Sequence, residues 1–226
     1  MTKLFGRTLA IGAVLAALTL PASASTIFDN TSNDLNTRFN PGTFEVGDQI
    51  IFGGTDRFLT DFGFEYFGLN GGSASNPFAG TVAVQVTLYN QNGPTVQGVT
   101  SPGTILYQST PFNISTTERA TLLFGPSDFG SLGGVTVPNE ITWSVKFTGL
   151  GAGDTAGVDL YSLPTIGQDY PDYWQNDGTG WTLMTNSVPV DFASRFQATV
   201  VPEPTTMSLS VIGLGLLVAT RMFRRK

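Results

Sequence analysis

The chain has 226 residues with neither cysteine nor histidine, which excludes a disulfide framework, thiol chemistry, Ser–His or Cys–His nucleophiles and zinc sites built on those side chains. Between residues 25 and 200, sixteen carboxylates face five cations: Arg38, Arg57, Arg119, Lys146 and Arg195. That balance argues against a nucleic-acid partner, whose binding rests on Lys and Arg against phosphate. It favours solubility and leaves room for divalent cations.

The N-terminus reads as a secretory signal over residues 1–24. Lys3 and Arg7 form a basic region, Leu9–Leu20 an apolar stretch, and Ala22-Ser23-Ala24 an A-x-A cleavage site in which Ala22 and Ala24 supply the small side chains. Signal peptidase and the general secretion machinery are the partners this implies, and the mature chain starts near Ser25. Residues 25–200 then have the length of one domain, enough to bury a real core.

Within that stretch a period of two dominates. The expected strands, in chain order, are Asp48–Phe52, Phe58–Phe67, Thr81–Tyr89, Thr104–Gln108, Ala120–Phe124, Glu140–Thr148, Val158–Tyr161 and Asp191–Val200. In Glu140–Thr148 the apolar set is Ile141, Trp143, Val145 and Phe147, so Trp143 is expected in the core. One-sided alternation predicts a wet face on each sheet and antiparallel pairing. Gly53-Gly54, Asn70-Gly71-Gly72, Asn92-Gly93-Pro94, Gly133-Gly134, Gly149–Gly153 and Asp177-Gly178 supply the turns. No ten-residue window holds a helical apolar stripe. The fold expected is all-β: an antiparallel β-sandwich of jelly-roll or Greek-key type, with a barrel as runner-up.

The densest cluster of chemistry-bearing residues is Tyr161–Trp181, read as a loop-rich stretch. Tyr161, Tyr170, Tyr173, Trp174 and Trp181 could stack on sugar rings while nearby carboxylates and amides take the hydroxyls. The bland alternative is that these rings plug one end of the core. Asp169, Asp172, Asn176 and Asp177 offer oxygen ligands for a structural calcium, although their spacing does not match an EF-hand loop. Asp154 and Asp159 are further acidic candidates. Apart from that calcium no cofactor is expected. A pair of carboxylates would suffice for a glycosidase or lyase, but most acids flank turn residues, and the chain reads as a non-enzyme.

The C-terminal 26 residues carry the most specific signal. Pro202-Glu203-Pro204 precedes an apolar run from Met207 to Thr220 and a basic tail containing Arg221, Arg224 and Arg225. A helix over about 205–223 would span roughly 28 Å at ~1.5 Å per residue, close to the ~30 Å core of a bilayer, with Arg221 snorkelling to the headgroups. The two prolines keep the preceding backbone extended. The basic tail stays cytoplasmic and the domain outside. Box, helix and Arg cluster in this order resemble the PEP-CTERM sorting signal of Gram-negative bacteria. The resemblance implies recognition by an exosortase-type transpeptidase, which cuts at or near the box, and an inner-membrane-anchored precursor that ends at the cell surface or in the extracellular matrix. The other physical reading is a plain anchor with a proline hinge. Phe52–Arg57, Phe64–Gly68, Ile141–Val145, Tyr173–Gly178 and Gly180-Trp181 are similar to a pattern that recurs in PEP-CTERM ectodomains; this resemblance supports the sandwich and implies no site. Together these readings point to an exported, non-catalytic surface or exopolysaccharide-matrix protein, with a carbohydrate-binding module as the alternative and a carboxylate-dependent glycosidase or lyase as the second.

Overall fold

The computed structural model describes residues 23–185 and 190–201. The expected signal, box, membrane helix and basic tail lie outside the described residues, apart from Ser23 and Ala24 at the foot of the first strand and Val201 after the last. All regular structure in the described stretches is strand. In chain order the strands are β1 (Ser25–Asn30), β2 (Asp34–Phe39), β3 (Glu45–Ile51), β4 (Phe58–Asn70), β5 (Ala83–Asn90), β6 (Thr95–Val96), β7 (Val99–Thr100), β8 (Ile105–Gln108) and β9 (Phe112–Asn113). They continue with β10 (Thr117–Phe124), β11 (Val135–Thr136), β12 (Glu140–Thr148), β13 (Asp154–Tyr161), β14 (Gln168–Asn176), β15 (Trp181–Met184), β16 (Asp191–Phe192) and β17 (Ser194–Thr199). Seven of the eight expected strands are present as single strands, and the eighth, Asp191–Val200, is broken at Ala193. The glycine-rich turns fall between strands, and all pairings are antiparallel.

Two large sheets share one core. The first has eight strands and is built on β4. One edge of β4 carries β17 against Phe58–Phe64 and then β13 against Tyr66–Asn70, while the other carries β11 and β10. β1 lies outside β17, and β2 outside β13. The second sheet has seven strands, ordered β15-β14-β3-β12-β5-β8, with β9 also on β5. Alternation fixes which side chains meet between them. Trp143 of the second sheet is fully buried against Phe62, Phe64 and Phe192 of the first, with ring centroids 5.3, 5.5 and 5.7 Å apart. Gly157 has a packing reason: a Cβ there would run into the Phe39 carbonyl of β2.

The first sheet splits where β13 leaves β4. Beyond Val158, the β16–β17 segment enters the gap: Ala193 donates its N–H to Asp159 O at 3.0 Å, and Glu65 N–H donates to Ala193 O at 3.2 Å. The expected single strand Asp191–Val200 is therefore two, interrupted at Ala193. This split places Asp159 and Asp191 at strand junctions.

The expected wet face of the second sheet is covered in its middle. Thr87, Thr142, Ser144 and Trp174 all project to the side away from Trp143, and none is more than 2 % exposed. The cover includes the β6–β7 hairpin, whose Gln97 amide donates to Leu183 O of β15 at 3.2 Å. Its two-residue loop has φ of 52° at Gln97 and 86° at Gly98, the doubly positive turn that matches strand twist.

Candidate functional site

The Tyr161–Trp181 stretch is largely strand, not loop, and its five aromatics do not form one platform. Tyr161 lies on the first sheet and donates its hydroxyl to Glu65 Oε2 at 2.8 Å. Tyr173 faces the core, 4.9 Å from the Phe39 ring. Its neighbour Trp174 points the opposite way, is fully buried, and donates Nε1–H to Gln49 Oε1 at 2.9 Å. Trp181 packs edge-on against Tyr89 at 5.3 Å, and Tyr170 donates to Glu140 Oε1 at 3.1 Å. Both sides of β14 are buried in its middle, so adjacent residues are apolar and the period-two signal disappears. Pro171 is accommodated in a bulge between Asp169 and Tyr173, where no ladder N–H is required.

The expected calcium ligands also point apart. Asp177 accepts from the N–H and hydroxyl of Thr179 at 2.9 and 2.7 Å. Asn176 turns its amide toward Glu45 Oε2 at 3.4 Å and its carbonyl to Gly178 N–H at 2.8 Å. Asp172 lies in the bulge, and Asp169 stands at its start in register with Ile50, its Oδ2 buried and unpartnered. Asp154 is a loop clamp, accepting from Ala79, Gly80 and Gly151 N–H at 2.9, 2.8 and 2.8 Å. Among the described residues, no three acidic side chains are grouped as ligands of one metal ion.

The structure does bring together two polar assemblies and a third polar feature. On the covered face of the second sheet, Glu45 Oε1 accepts from Ser144 Oγ at 2.6 Å and from Tyr89 OH at 2.9 Å. Burial and the Glu45 charge push the Tyr89 hydroxyl up, so it stays a donor. The second assembly lies on the outer face of the first sheet. Asp159, fully buried, has Arg119 Nη2 at 3.6 Å and Arg38 Nε at 3.7 Å. Arg119 also reaches Asp34 at 2.7 Å and Glu65 at 3.4 Å, and Arg38 reaches Glu118 at 3.0 Å. The guanidiniums lie over the rings of Tyr161 and Phe67, at 5.7 and 5.2 Å, which orients them. Burial pushes Asp159 up, opposed by Arg119 and Arg38. The hydrogen bond from Arg119 pulls Asp34 down, with partial desolvation opposing it.

Beside this cluster runs an open depression of about 370 Å³ on the same face. Gly63 forms part of its floor, with Asp61, Glu65, Thr121, Arg195 and Gln197 around it. Leu123, 79 % exposed, leans over the glycine. The groups here can exchange hydrogen bonds with a polyhydroxylated chain. Glu65 and Asp159 flank one guanidinium, but Asp159 is sealed from solvent, so this pair does not bracket a substrate bond. Sequence reading missed the cluster because its members come from β2, β4, β10 and β13, far apart in the chain.

The third feature is a carboxyl between the sheets: Asp48, fully buried, accepts the Phe192 N–H at 3.0 Å, with Asp169 and Asp191 on the adjoining strands. One signal for it was present, since Val46, Asp48 and Ile50 share a strand phase and put a carboxylate among core residues. No protein-family model, no curated protein and no solved structure matches this chain.

Proposed function

We propose that this chain is an exported, non-catalytic structural or adhesive protein of the cell surface or exopolysaccharide matrix. Its domain is read as a β-sandwich of jelly-roll or Greek-key type, carried to the surface by the N-terminal signal and the PEP-CTERM-like tail. The observation that carries the reading is the ordered C-terminal triplet: Pro202-Glu203-Pro204, one apolar segment, then Arg221, Arg224 and Arg225. The domain is consistent with this role, because its large aromatics serve packing: Trp143 and Trp174 are fully buried and Trp181 packs edge-on against Tyr89. In a host with an exosortase, mass spectrometry of the surface protein should find the mature C-terminus near the box, with 209–226 missing. An intact tail on the surface protein would reduce the triplet to an anchor.

A second reading, glycan binding, is favoured by one observation: the open polar depression over Gly63. It differs from the aromatic site expected from sequence, and Gln197→Ala with Thr121→Ala tests it. Loss of retention on an exopolysaccharide affinity gel with an unchanged melt supports it; unchanged retention rejects it.

A further inference from the structure

Asp48 is a charged residue type in the centre of the hydrophobic core. It pairs in register with Trp143 on one side and Tyr173 on the other, and it is fully buried. Its Oδ2 accepts the Phe192 N–H at 3.0 Å, a hydrogen bond from the second sheet to the first. Asn30 holds the same residue from β1, its amide donating to Phe192 O at 3.5 Å. Val190 N–H to Pro171 O at 3.3 Å ties the approach to β16 onto the β14 bulge. Three strands, β3, β14 and β16, are therefore tied together around Asp48 and Phe192, with Asp169 at the edge of the β14 bulge and Asp191 next to Phe192 on β16.

The unusual feature is what these carboxyls lack. Asp48 Oδ1, Asp169 Oδ2 and Asp191 Oδ1 are buried without a hydrogen-bond partner, as are Asn30 Oδ1, Trp143 Nε1, Ser194 Oγ and both carboxylate oxygens of Asp159. Asp159, however, has two guanidiniums within 3.7 Å, and Asp48, Asp169 and Asp191 have none among the described residues. Native interiors rarely leave such groups unpaired. The other titratable groups on the surrounding elements are Tyr170, Asp172 and Tyr173 on β14, Asp154, Asp159 and Tyr161 on β13, Asp29 on β1, and Asp34 and Arg38 on β2; Tyr170 bonds Glu140, and Asp154 clamps the Ala79–Gly80 loop. On β3 and β12, Glu45, Glu140 and Lys146 project to the opposite face. The cations are engaged elsewhere: Arg38 and Arg119 around Asp159, and Arg195 4.0 Å from Asp29. Asp48 and Asp191 are buried and Asp169 is half-buried; carboxylates so placed, with no cation in ion-pair reach, do not all stay ionised.

We propose that Asp48, Asp169 and Asp191 form a proton-holding latch between the two sheets, in which at least one carboxyl keeps its proton in the folded chain at neutral pH. The proton removes the charge that an unpaired carboxylate would carry beside the core, and its loss loosens the β3–β14–β16 junction. Burial pushes Asp48 well above the usual carboxylate range, with Asp169 and Asp191 adding to the shift. Burial also takes Asp169 to about 6, and burial with the Asp169 charge takes Asp191 to about 7. The folded values exceed the unfolded ones, near 4. The stability contribution is thus complete below about pH 4 and is lost as pH rises through about 6 to 7 and beyond.

The test is the melting of the full chain, purified in detergent, from pH 5 to pH 8. The melting temperature should fall across this range, and each extra proton held by the native state changes the unfolding constant by up to about tenfold per pH unit. Asp48→Asn keeps an acceptor for Phe192 N–H; it should flatten the slope and raise the melt at pH 8. Asp191→Asn provides the same comparison if the first variant fails to fold. The infrared carbonyl band of a protonated carboxyl should be present at pH 7 in the parent chain and weakened in either variant. A flat or rising profile in the parent, or the same slope in the variants, overturns the proposal. So does calcium that raises the parent's melt at pH 8 but not that of Asp48→Asn, because a metal ion would then hold the cluster.

Discussion

Asp159 on β13 and Asp48 on β3 are equally inaccessible to solvent. Around Asp159 two guanidiniums lie within 3.7 Å, and further carboxylates hold those guanidiniums in turn. Around Asp48 stand aromatic rings and one backbone N–H, and the charges of Asp169 and Asp191 add to the effect of burial in pushing its carboxyl up. The first region sits at the outer surface of its sheet, where long Arg side chains can reach in while keeping contact with water. The second lies between sheets, where an Arg stem would displace core packing. One aspartate is compensated by cations and the other by a proton, and position in the layers decides which.

Changes at Trp143, beside Asp48 in the same row, should have the largest effect. Trp143→Ala should cost roughly 3–5 kcal/mol in denaturant unfolding, the range for a large aromatic deleted from a packed interior. It should also let water reach Asp48 and weaken the pH dependence. A cost below about 1 kcal/mol would place Trp143 at a surface. Arg119→Ala comes next. Breaking a fully buried pair costs ~3–5 kcal/mol. Since the Arg119 side chain is 37 % exposed, about 2–3 kcal/mol is expected at pH 7 after discounting for solvent screening. Asp159 would then resemble Asp48, so the variant's stability should fall more steeply with rising pH than the parent's. An unchanged slope would mean the guanidiniums do not neutralise it.

Asp48→Asn should stabilise the chain by about 1–2 kcal/mol at pH 8, since a neutral group replaces an uncompensated buried charge, and the gain should vanish near pH 5. The smallest effect is the acid limb. Asp34 is held down by Arg119, so its contribution is present above about pH 4 and lost below it. With the latch acting in the opposite sense, melting temperature should peak between about pH 4 and 6; a peak above pH 7 would contradict this.

Much of the fold was legible because one-sided strands announce themselves. Glu140–Thr148 has the same bounds in sequence and structure, and Thr81–Tyr89 differs from β5 by two residues at its start and one at its end. β14 was not legible, because Tyr173 and Trp174 are buried on opposite faces and Pro171 sits in a bulge. β2 escaped as well: no residue of Asp34–Phe39 is fully buried, and its polar residues follow no alternation. The expected aromatic site dissolved for the same reason as β14, since covering the second sheet with the β6–β7 hairpin turned its aromatics into packing. Asp48 was readable as a carboxylate in an inward phase. Its partners were not, because Asp169 and Asp191 come from junctions that only the split sheet creates.

The measurement that tests the central contrast most directly is proton exchange on unfolding. Calorimetric unfolding of the full chain near pH 6.5, in two buffers of different ionisation enthalpy, counts the protons exchanged with solvent. A native state that holds a proton its unfolded chain does not must release it, so net release is expected in the parent and a smaller release in Asp48→Asn. Zero exchange or net uptake in the parent would show that Asp48 is ionised in the core, and the account of how this fold tolerates it would be wrong.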